Sequence, residues 1–188
     1  MKLLIASDIH GSALAARLLV GYFWDLKCDY MLLLGDILYH GPRNALPGEY
    51  DTKECAKILN GIYQKIWCVQ GNCDAEVDQL MLEFPLTADY MQLPVNGRLI
   101  FASHGHHFGP HYLPPIGSCD ILMCGHTHMP GHQKFEDLLY CNPGSPSIPK
   151  GGSKPGFMTF ENNLLCWREL DSGKTYDSVL LDASDIQD

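Results

Sequence analysis

The sequence predicts one α/β domain in which two packed β-sheets are flanked by helices. Three observations carry this prediction: the first half alternates buried strands with helical segments, the second half is rich in short strands, and the chain is long enough for one core. Its 188 residues are 46% hydrophobic and 19% charged, as in an ordinary globular domain. We expect the domain to span residues 1–182 and the polar residues 183–188 to form a frayed tail.

The first half has the order βαβαβα. Continuous apolar runs predict strands that are covered on both faces, and these runs are 1–7, 30–34 and 65–70. Helical segments follow them: apolar residues at helical spacing over 12–27, a helix capped by Asp51 or Thr52 that continues to about Tyr63, and a short helix over 75–83. The alternation predicts right-handed crossovers and parallel strands.

The second half changes to short strands. Asn96-Gly97 stands between the apolar runs 91–94 and 98–103, and this dipeptide is the strongest short signal for a hairpin. A brief buried strand is predicted over 121–124, and strands with turns continue from residue 132. Two packed sheets flanked by helices would bury both sets of apolar faces.

Composition limits the classes of function. The formal net charge is −9 and the 13 basic residues form no cluster, which argues against a long nucleic acid as ligand. The eight cysteines include no CxxC pair and lie mostly in apolar runs, where a free thiol acts as a small hydrophobe. No signal-peptide pattern opens the chain, and no apolar run approaches the ~20 residues of a membrane helix. We expect a reduced, cytoplasmic protein without a membrane partner.

Seven side chains with metal-ligand chemistry follow the predicted strands. They are Asp8, His10, Asp36, Asn72, His104, His126 and His128. A strand end mounts a side chain rigidly, as metal ligation requires. Two carboxylates, one amide oxygen and four imidazoles suit two borderline divalent ions, because a single ion would leave some of these seven ligands unbound. A paired-metal site predicts phosphoryl chemistry.

The seven residues fall into five short clusters, one after each of five predicted strands. Each cluster also has an ordinary structural interpretation. Asp8 could cap the following helix, and a single histidine could be a satisfied, partly buried residue. The GHTH sequence is a stronger signal, because alternation along an extended segment places His126 and His128 on the same side. All five clusters lie at the ends of predicted strands, and this shared position favours a metal site over five separate structural roles.

The ordered motifs DxH, GD, GNxD, HGH and GHTH over residues 8–128 resemble the calcineurin-like metallophosphoesterase superfamily. The segments GPRNALP (41–47) and NPGSPSIPKGG (142–152) resemble the bacterial YfcE-type phosphodiesterases within it. The resemblance implies a four-layer αββα sandwich, the metallo-dependent phosphatase fold. It also implies a ligand set in which Asp8, His10 and His128 bind the first ion, Asn72, His104 and His126 bind the second, and Asp36 bridges them.

The resemblance further implies the metal chemistry. Two divalent ions would lower the pKa of a bridging water and present hydroxide in line with phosphorus. Mn²⁺ is the first choice of ion, with Fe, Zn²⁺, Ni²⁺ and Co²⁺ as alternatives.

Residue 73 departs from the family pattern. Many members have GNHD, and this chain has GNCD as the YfcE-type branch does. A thiol with a pKa of about 8.5 is a poorer proton donor than imidazolium. We therefore interpret Cys73 as a small filler beside the site and Asp74 as a residue that orients a neighbour.

Three residues are predicted to be catalytic: His106, Arg43 and Asn72. His106 is the candidate acid or phosphate contact that would compensate for Cys73. Arg43, with Asn44, could donate to a phosphate oxygen through its bidentate fork, or could be an ordinary surface residue. Residues 142–152 could line the cleft or could only brace it.

These observations favour hydrolysis of a small phosphodiester, since a diester carries one negative charge and needs less cationic help at the leaving group. The alternatives are a phosphomonoesterase and a non-catalytic scaffold similar to the Vps29 subunit of retromer, which resembles this chain in fold but has altered ligands. A nuclease acting on long DNA is disfavoured by the acidic charge. The resemblance also allows a homo-oligomer.

Overall fold

The computed structural model describes residues 1–113, 120–135 and 138–181. Within these ranges, eleven strands form two mixed sheets, which confirms the predicted α/β sandwich. The strands are β1 (Leu3–Ala6), β2 (Tyr30–Leu33), β3 (Ile66–Cys68), β4 (Tyr90–Val95), β5 (Arg98–Ser103), β6 (Ile121–Met123), β7 (Gly131–Phe135), β8 (Leu138–Asn142), β9 (Gly156–Glu161), β10 (Leu164–Glu169) and β11 (Thr175–Leu180). The predicted tail over 183–188 lies outside the described residues.

The first sheet has the order β11-β10-β9-β1-β2-β3, and the second has the order β4-β5-β6-β8-β7. β1 pairs in parallel with β2, and β2 with β3, as the alternation of strands and helices predicts. In the second sheet, β6 lies between β5 and β8 and is parallel to both. The carboxyl ends of parallel neighbours lie at the same edge of a sheet, so the segments that follow them are brought close together.

Helix α1 (Ala13–Asp25) and helix α2 (Thr52–Asn60) follow β1 and β2. Ser12 caps α1 by accepting a hydrogen bond from the Ala15 amide at 3.2 Å, and Asp51 caps α2 in the same way. The longest of the described helices, α1, has 13 residues, fewer than a membrane crossing requires.

Two predicted helices are shorter than expected. α2 ends at Asn60, before Gly61. A separate 3₁₀ turn, Tyr63–Lys65, follows it. The segment predicted as a helix over 75–83 forms only the 3₁₀ turn Glu76–Leu80. Short pieces of this kind are typical of connectors, because 3₁₀ hydrogen bonds have poorer geometry than those of an α-helix.

The alternating side chains of β1 show how the layers pack. Leu4 and Ala6 are buried against the two helices, whereas Leu3 and Ile5 are buried between the sheets. Trp167 fills the inter-sheet core, and its indole Nε1–H donates to the Asn142 carbonyl at 2.8 Å. The first sheet is therefore covered on both faces at β1, β2 and β3, which explains why these strands are apolar without alternation.

The hairpin between β4 and β5 turns at Asn96 and Gly97, with φ of 54° and 79°. Both angles are positive, as a type I′ turn requires, and this confirms the prediction from the Asn-Gly dipeptide. Asn162 and Asn163 join β9 to β10 with φ of 50° and 62° in the same manner.

Candidate metal centre

The segments after five strands bring the seven predicted ligand residues to one edge of the sandwich. Asp8 and His10 follow β1, and the other positions follow β2, β3, β5 and β6. Backbone hydrogen bonds tie these segments together: the Asp8 amide donates to the Gly35 carbonyl at 3.0 Å, and the Gly125 amide donates to the His104 carbonyl at 2.8 Å. The edge is thus built by both sheets.

Five of these seven residues have a left-handed backbone. They are Asp8, His10, Asp36, His126 and His128, with φ between 51° and 67°. A non-glycine residue in this region costs about 1–3 kcal/mol, and such residues cluster at functional sites. The strain is held by the surrounding packing and hydrogen bonds, and it aims the side chains at a common centre.

The left-handed backbone also corrects one expectation. The sequence prediction treated residues 125–128 as extended and placed His126 and His128 on the same side. In the structure, the His128 ring stacks on His10 with centroids 5.0 Å apart, whereas the His126 ring meets the edge of His104 at 5.1 Å. The two histidines face different parts of the centre, because each has a left-handed backbone and lies outside a strand.

The first group of ligand atoms surrounds Asp8. Its Oδ1 lies 3.3 Å from His128 Nε2 and 3.7 Å from His10 Nε2, and the two Nε2 atoms are 3.2 Å apart. Oδ2 accepts the His126 amide at 3.0 Å, whereas the buried Oδ1 has no hydrogen-bond partner among the described residues. A buried carboxylate oxygen without a donor needs a positive partner. These three residues therefore fit a cation.

The second group lies on the other side of Asp36. Asp36 Oδ2 is 3.7 Å from His10 Nε2 and 3.5 Å from His104 Nε2, so this carboxylate stands between the two groups. His104 Nε2 also lies 3.1 Å from Asn72 Oδ1. Asp36 thus faces one histidine of each group.

Backbone carbonyls orient three of the four imidazole rings in the predicted ligand set. In each case Nδ1–H can donate to a carbonyl oxygen, which leaves the Nε2 lone pair directed at the centre, as ligation requires. The pairs are His10 with the Tyr39 carbonyl at 2.7 Å, His104 with the Leu34 carbonyl at 2.6 Å, and His128 with the Ile148 carbonyl at 2.6 Å.

The electrostatics of the centre favour positive charge. Burial opposes ionisation of Asp8, but the neighbouring rings of His10 and His128 hold its pKa well below its usual range. Burial likewise opposes protonation of His104, yet its hydrogen bond to Asp36 and the charge of Asp8 raise its pKa to about 9. The two buried carboxylates thus favour a positive charge beside them, and metal binding at His104 would compete with its protonation.

Asp74 supports the centre without facing it. Its buried carboxylate accepts the amides of Asp36 at 2.8 Å, Ile37 at 2.8 Å and Gly71 at 2.7 Å. Burial raises the pKa of Asp74 in spite of these three donors. The interpretation that Asp74 orients a neighbour agrees with this geometry.

The segment over 142–152 braces Asp8. Ser145 Oγ donates to the Asp8 carbonyl at 2.7 Å, and Ser147 Oγ donates to the same oxygen at 3.1 Å. Sequence reasoning named neither serine, although their SPS spacing could have indicated paired hydroxyl groups. Of the two roles left open for this segment, its contacts support the brace.

The other residues predicted to contact the phosphate, His106, Arg43 and Asn44, do not lie together in the structure. The His106 ring lies 5.3 Å from that of His104, and burial together with the neighbouring histidines lowers its pKa to about 4. Arg43 is exposed, and Asn44 Nδ2 donates to the His40 carbonyl at 2.8 Å, which stabilises its own loop. Of these three residues, only His106 lies among the histidines of the centre.

Comparison with known proteins places the chain in a family. Residues 1–163 match the family model of the calcineurin-like phosphoesterase superfamily domain, and the chain belongs to this superfamily. The resemblance drawn from the motifs is thereby confirmed.

Individual relatives give the same result. Phosphodiesterase YfcE of Escherichia coli strain K12 is 44% identical over 165 residues, which cover 88% of this chain and 90% of that protein. A solved structure of Yfce, described as a phosphoesterase from E. coli, matches with a TM-score of 0.93 at 40% identity, over 97% of this chain and all of that one. Vps29 of Entamoeba histolytica complexed with zinc matches at 20% identity with a TM-score of 0.64, covering 95% and 98% of the two chains, and so shows the fold alone.

Proposed function

We propose that this chain hydrolyses small phosphodiesters with the help of two divalent metal ions. The observation that carries the proposal is the buried Asp8 Oδ1, which has no hydrogen-bond partner among the described residues and faces two imidazole Nε2 atoms. The 44% identity to a protein named phosphodiesterase YfcE supports the reaction class.

The ligand roles follow from the two groups around Asp36. Asp8, His10 and His128 would hold one ion, Asn72, His104 and His126 would hold the other, and Asp36 would contact both. When bound, the ions supply an activated water and positive charge for the phosphoryl oxygens. The Asn72 amide donates a neutral oxygen, which limits the negative charge that an anionic substrate must approach.

His106 is proposed to contact the phosphate as a hydrogen-bond donor. Its lowered pKa keeps the ring neutral near pH 7, so it is better suited to donate an N–H to a phosphate oxygen than to deliver a proton. Arg43 is proposed as a second donor to the phosphate, because its exposed guanidinium lies in the loop after Asp36.

The preference for a diester rests on Cys73. Burial, followed by the charge of Asp36, raises the pKa of this thiol to about 12, so Cys73 is a weak acid for a leaving alkoxide. A diester with a stable leaving group needs little proton donation, whereas a monoester dianion adds negative charge beside Asp8 and Asp36. Diesters should therefore turn over faster than monoesters.

We also propose Mn²⁺ as the working ion, with Fe, Zn²⁺, Ni²⁺ and Co²⁺ as alternatives, and the cytoplasm as the compartment. Oxygen and imidazole ligands suit Mn²⁺. Seven cysteines within the described residues are free thiols, which supports a reducing compartment.

The test is hydrolysis of bis(p-nitrophenyl) phosphate by metal-stripped protein, with and without added Mn²⁺, beside p-nitrophenyl phosphate as the monoester. We expect Mn²⁺ to restore turnover, the diester to react faster, and Asp36→Asn to abolish activity. Asp177→Asn, an exposed carboxylate on β11, is the matched control and should retain it. Absence of turnover with every ion of the series would contradict the proposal, and faster turnover of the monoester would overturn the diester preference.

A further inference from the structure

We propose that Cys73 is an additional ligand of the metal centre, which binds a thiophilic ion such as Cd²⁺ or Zn²⁺ together with His10 and Asp36. The resemblance to the family assigns no ligand role to this position. The proposal rests on the proposed metal centre and adds a sulfur atom to its ligand set.

The distances bring the three residues into one coordination sphere. One donor atom each from His10, Asp36 and Cys73 lie within 4.8 Å of one another. Zinc binds sulfur at about 2.3 Å and imidazole nitrogen at about 2.0–2.1 Å. The three donor atoms therefore form a candidate site for one ion.

The backbone fixes Cys73 relative to Asp36. The Cys73 amide donates to Asp36 Oδ1 at 2.8 Å, which leaves Asp36 Oδ2 directed towards His10 and His104. Cys73 is thus held by its backbone at the carboxylate that the proposed ion contacts.

The sulfur is confined on its other sides. Asn72 Nδ2 lies 3.3 Å from Cys73 Sγ, and a methyl group built on Gly41 would lie 3.1 Å from the same atom. The loop at Gly41 therefore packs against the thiol and restricts its movement away from the centre. The thiol is half-buried, so an ion from solvent can reach it.

A second observation points to a ligand at the same place. Asp8 Oδ1 is fully buried, lies 3.7 Å from His10 Nε2, and has no hydrogen-bond partner in the described part of the chain. His10 is thus shared by the group that contains this oxygen and by the group with Asp36 and Cys73. A mixed set of sulfur, nitrogen and oxygen donors favours zinc and cadmium over manganese, which prefers oxygen.

This ligand set gives the centre two modes of ion binding. A hard ion uses the carboxylates and imidazoles and leaves the thiol protonated. A thiophilic ion also recruits Cys73, whose proton is released to solvent, and it then competes with Mn²⁺ for His10 and Asp36. Inhibition of the Mn²⁺ enzyme by Zn²⁺ or Cd²⁺ should accordingly depend on Cys73.

The experiment is a titration of the metal-stripped full-length protein with Cd²⁺, followed by the sulfur-to-cadmium charge-transfer band in the ultraviolet and by elemental analysis of bound cadmium. We expect a band that saturates at one thiolate per chain and disappears in Cys73→Ser. Cys166→Ser, which removes a buried thiol of β10, is the matched control and should keep the band. X-ray absorption of the zinc-loaded protein should show sulfur at about 2.3 Å in the native chain and none in Cys73→Ser.

The outcomes separate the two proposals. Bound cadmium without a charge-transfer band, or an equal band in Cys73→Ser, would overturn the sulfur ligand and leave the metal centre intact. Failure of the native protein to bind any cadmium would also overturn the sulfur ligand, and the metal centre would then be judged separately by Mn²⁺-restored turnover. Cys73→Ala provides a second variant in case the serine form does not fold, and it should also lack the band.

Discussion

The substitution Asp74→Asn tests whether this carboxylate positions Asp36 for metal binding. The Asp74 side chain accepts three backbone amides, those of Asp36 and Gly71 at Oδ2 and that of Ile37 at Oδ1. Asparagine has one acceptor oxygen and one NH₂ group. If the amide oxygen keeps the two bonds at Oδ2, the NH₂ group faces the Ile37 amide, and one buried donor is left without a partner.

The magnitude follows from these contacts. An unsatisfied buried donor costs about 1–3 kcal/mol, and the two remaining hydrogen bonds lose their charge assistance. The ionised carboxylate is itself disfavoured by burial, which raises the pKa of Asp74, so its removal recovers part of the loss. We expect the free energy of unfolding of the metal-stripped protein to fall by about 1–3 kcal/mol.

Metal affinity should fall as well. The amides of Asp36 and Ile37 hold the segment that presents the Asp36 carboxylate, and loss of a supporting contact of this kind typically weakens metal binding by about 10–100-fold. Urea denaturation measures the stability, and calorimetric titration with Mn²⁺ measures the affinity. Asp78→Asn is the control, because Asp78 accepts the Ala75 amide at 2.9 Å outside the centre. Reduced stability with unchanged Mn²⁺ affinity would refute the positioning role.

Two further predictions concern the packing and the charge of the centre. In Gly125→Ala the new methyl group would overlap Ser7 Oγ, so we expect the free energy of unfolding, measured by urea denaturation, to fall by about 1–3 kcal/mol. In the control Gly131→Ala the methyl group meets nothing within 4 Å, and the stability should hardly change. Equal stabilities of the two variants would contradict this prediction. The pKa of His104 is raised from 6.5 to about 9 in the metal-free fold, so its stabilising contribution is complete below pH 6.5 and is lost as the pH rises through 9. Thermal unfolding of metal-stripped protein should show a falling Tm over this window, and a Tm that rises there would refute the assignment of the proton to His104.

The sequence was informative where the chemistry lies in side chains. The apolar runs predicted the strands, Asn96-Gly97 predicted the hairpin, and the residues after the strands predicted the ligand positions that the fold brings together. The carbonyls of Tyr39, Leu34 and Ile148, which orient three imidazoles, could not be predicted. Every residue has a carbonyl, so only the fold shows which of them accepts a given hydrogen bond.

The error at residues 125–128 has a related physical origin. Alternation of histidines is a valid guide in a strand, but the backbone of this segment is left-handed at His126 and His128. Non-glycine residues adopt that conformation when the surrounding structure determines it. Here the His126 amide is held by Asp8 and the His128 ring by the Ile148 carbonyl, which are distant in sequence. Local pattern could not reveal contacts of this kind.

The origin of the ligands in both sheets explains why a strained site can persist. Asp8, His10 and Asp36 come from the first sheet, whereas His104, His126 and His128 come from the second. The inter-sheet core, with Trp167 and the apolar side of β1, fixes the distance between these two sets. The left-handed backbone at five of these positions is thus offset by packing elsewhere in the fold. A centre that is held by the packing of both sheets should exchange one divalent ion for another without unfolding, so that the choice between Mn²⁺ and a thiophilic ion would depend on the donor atoms.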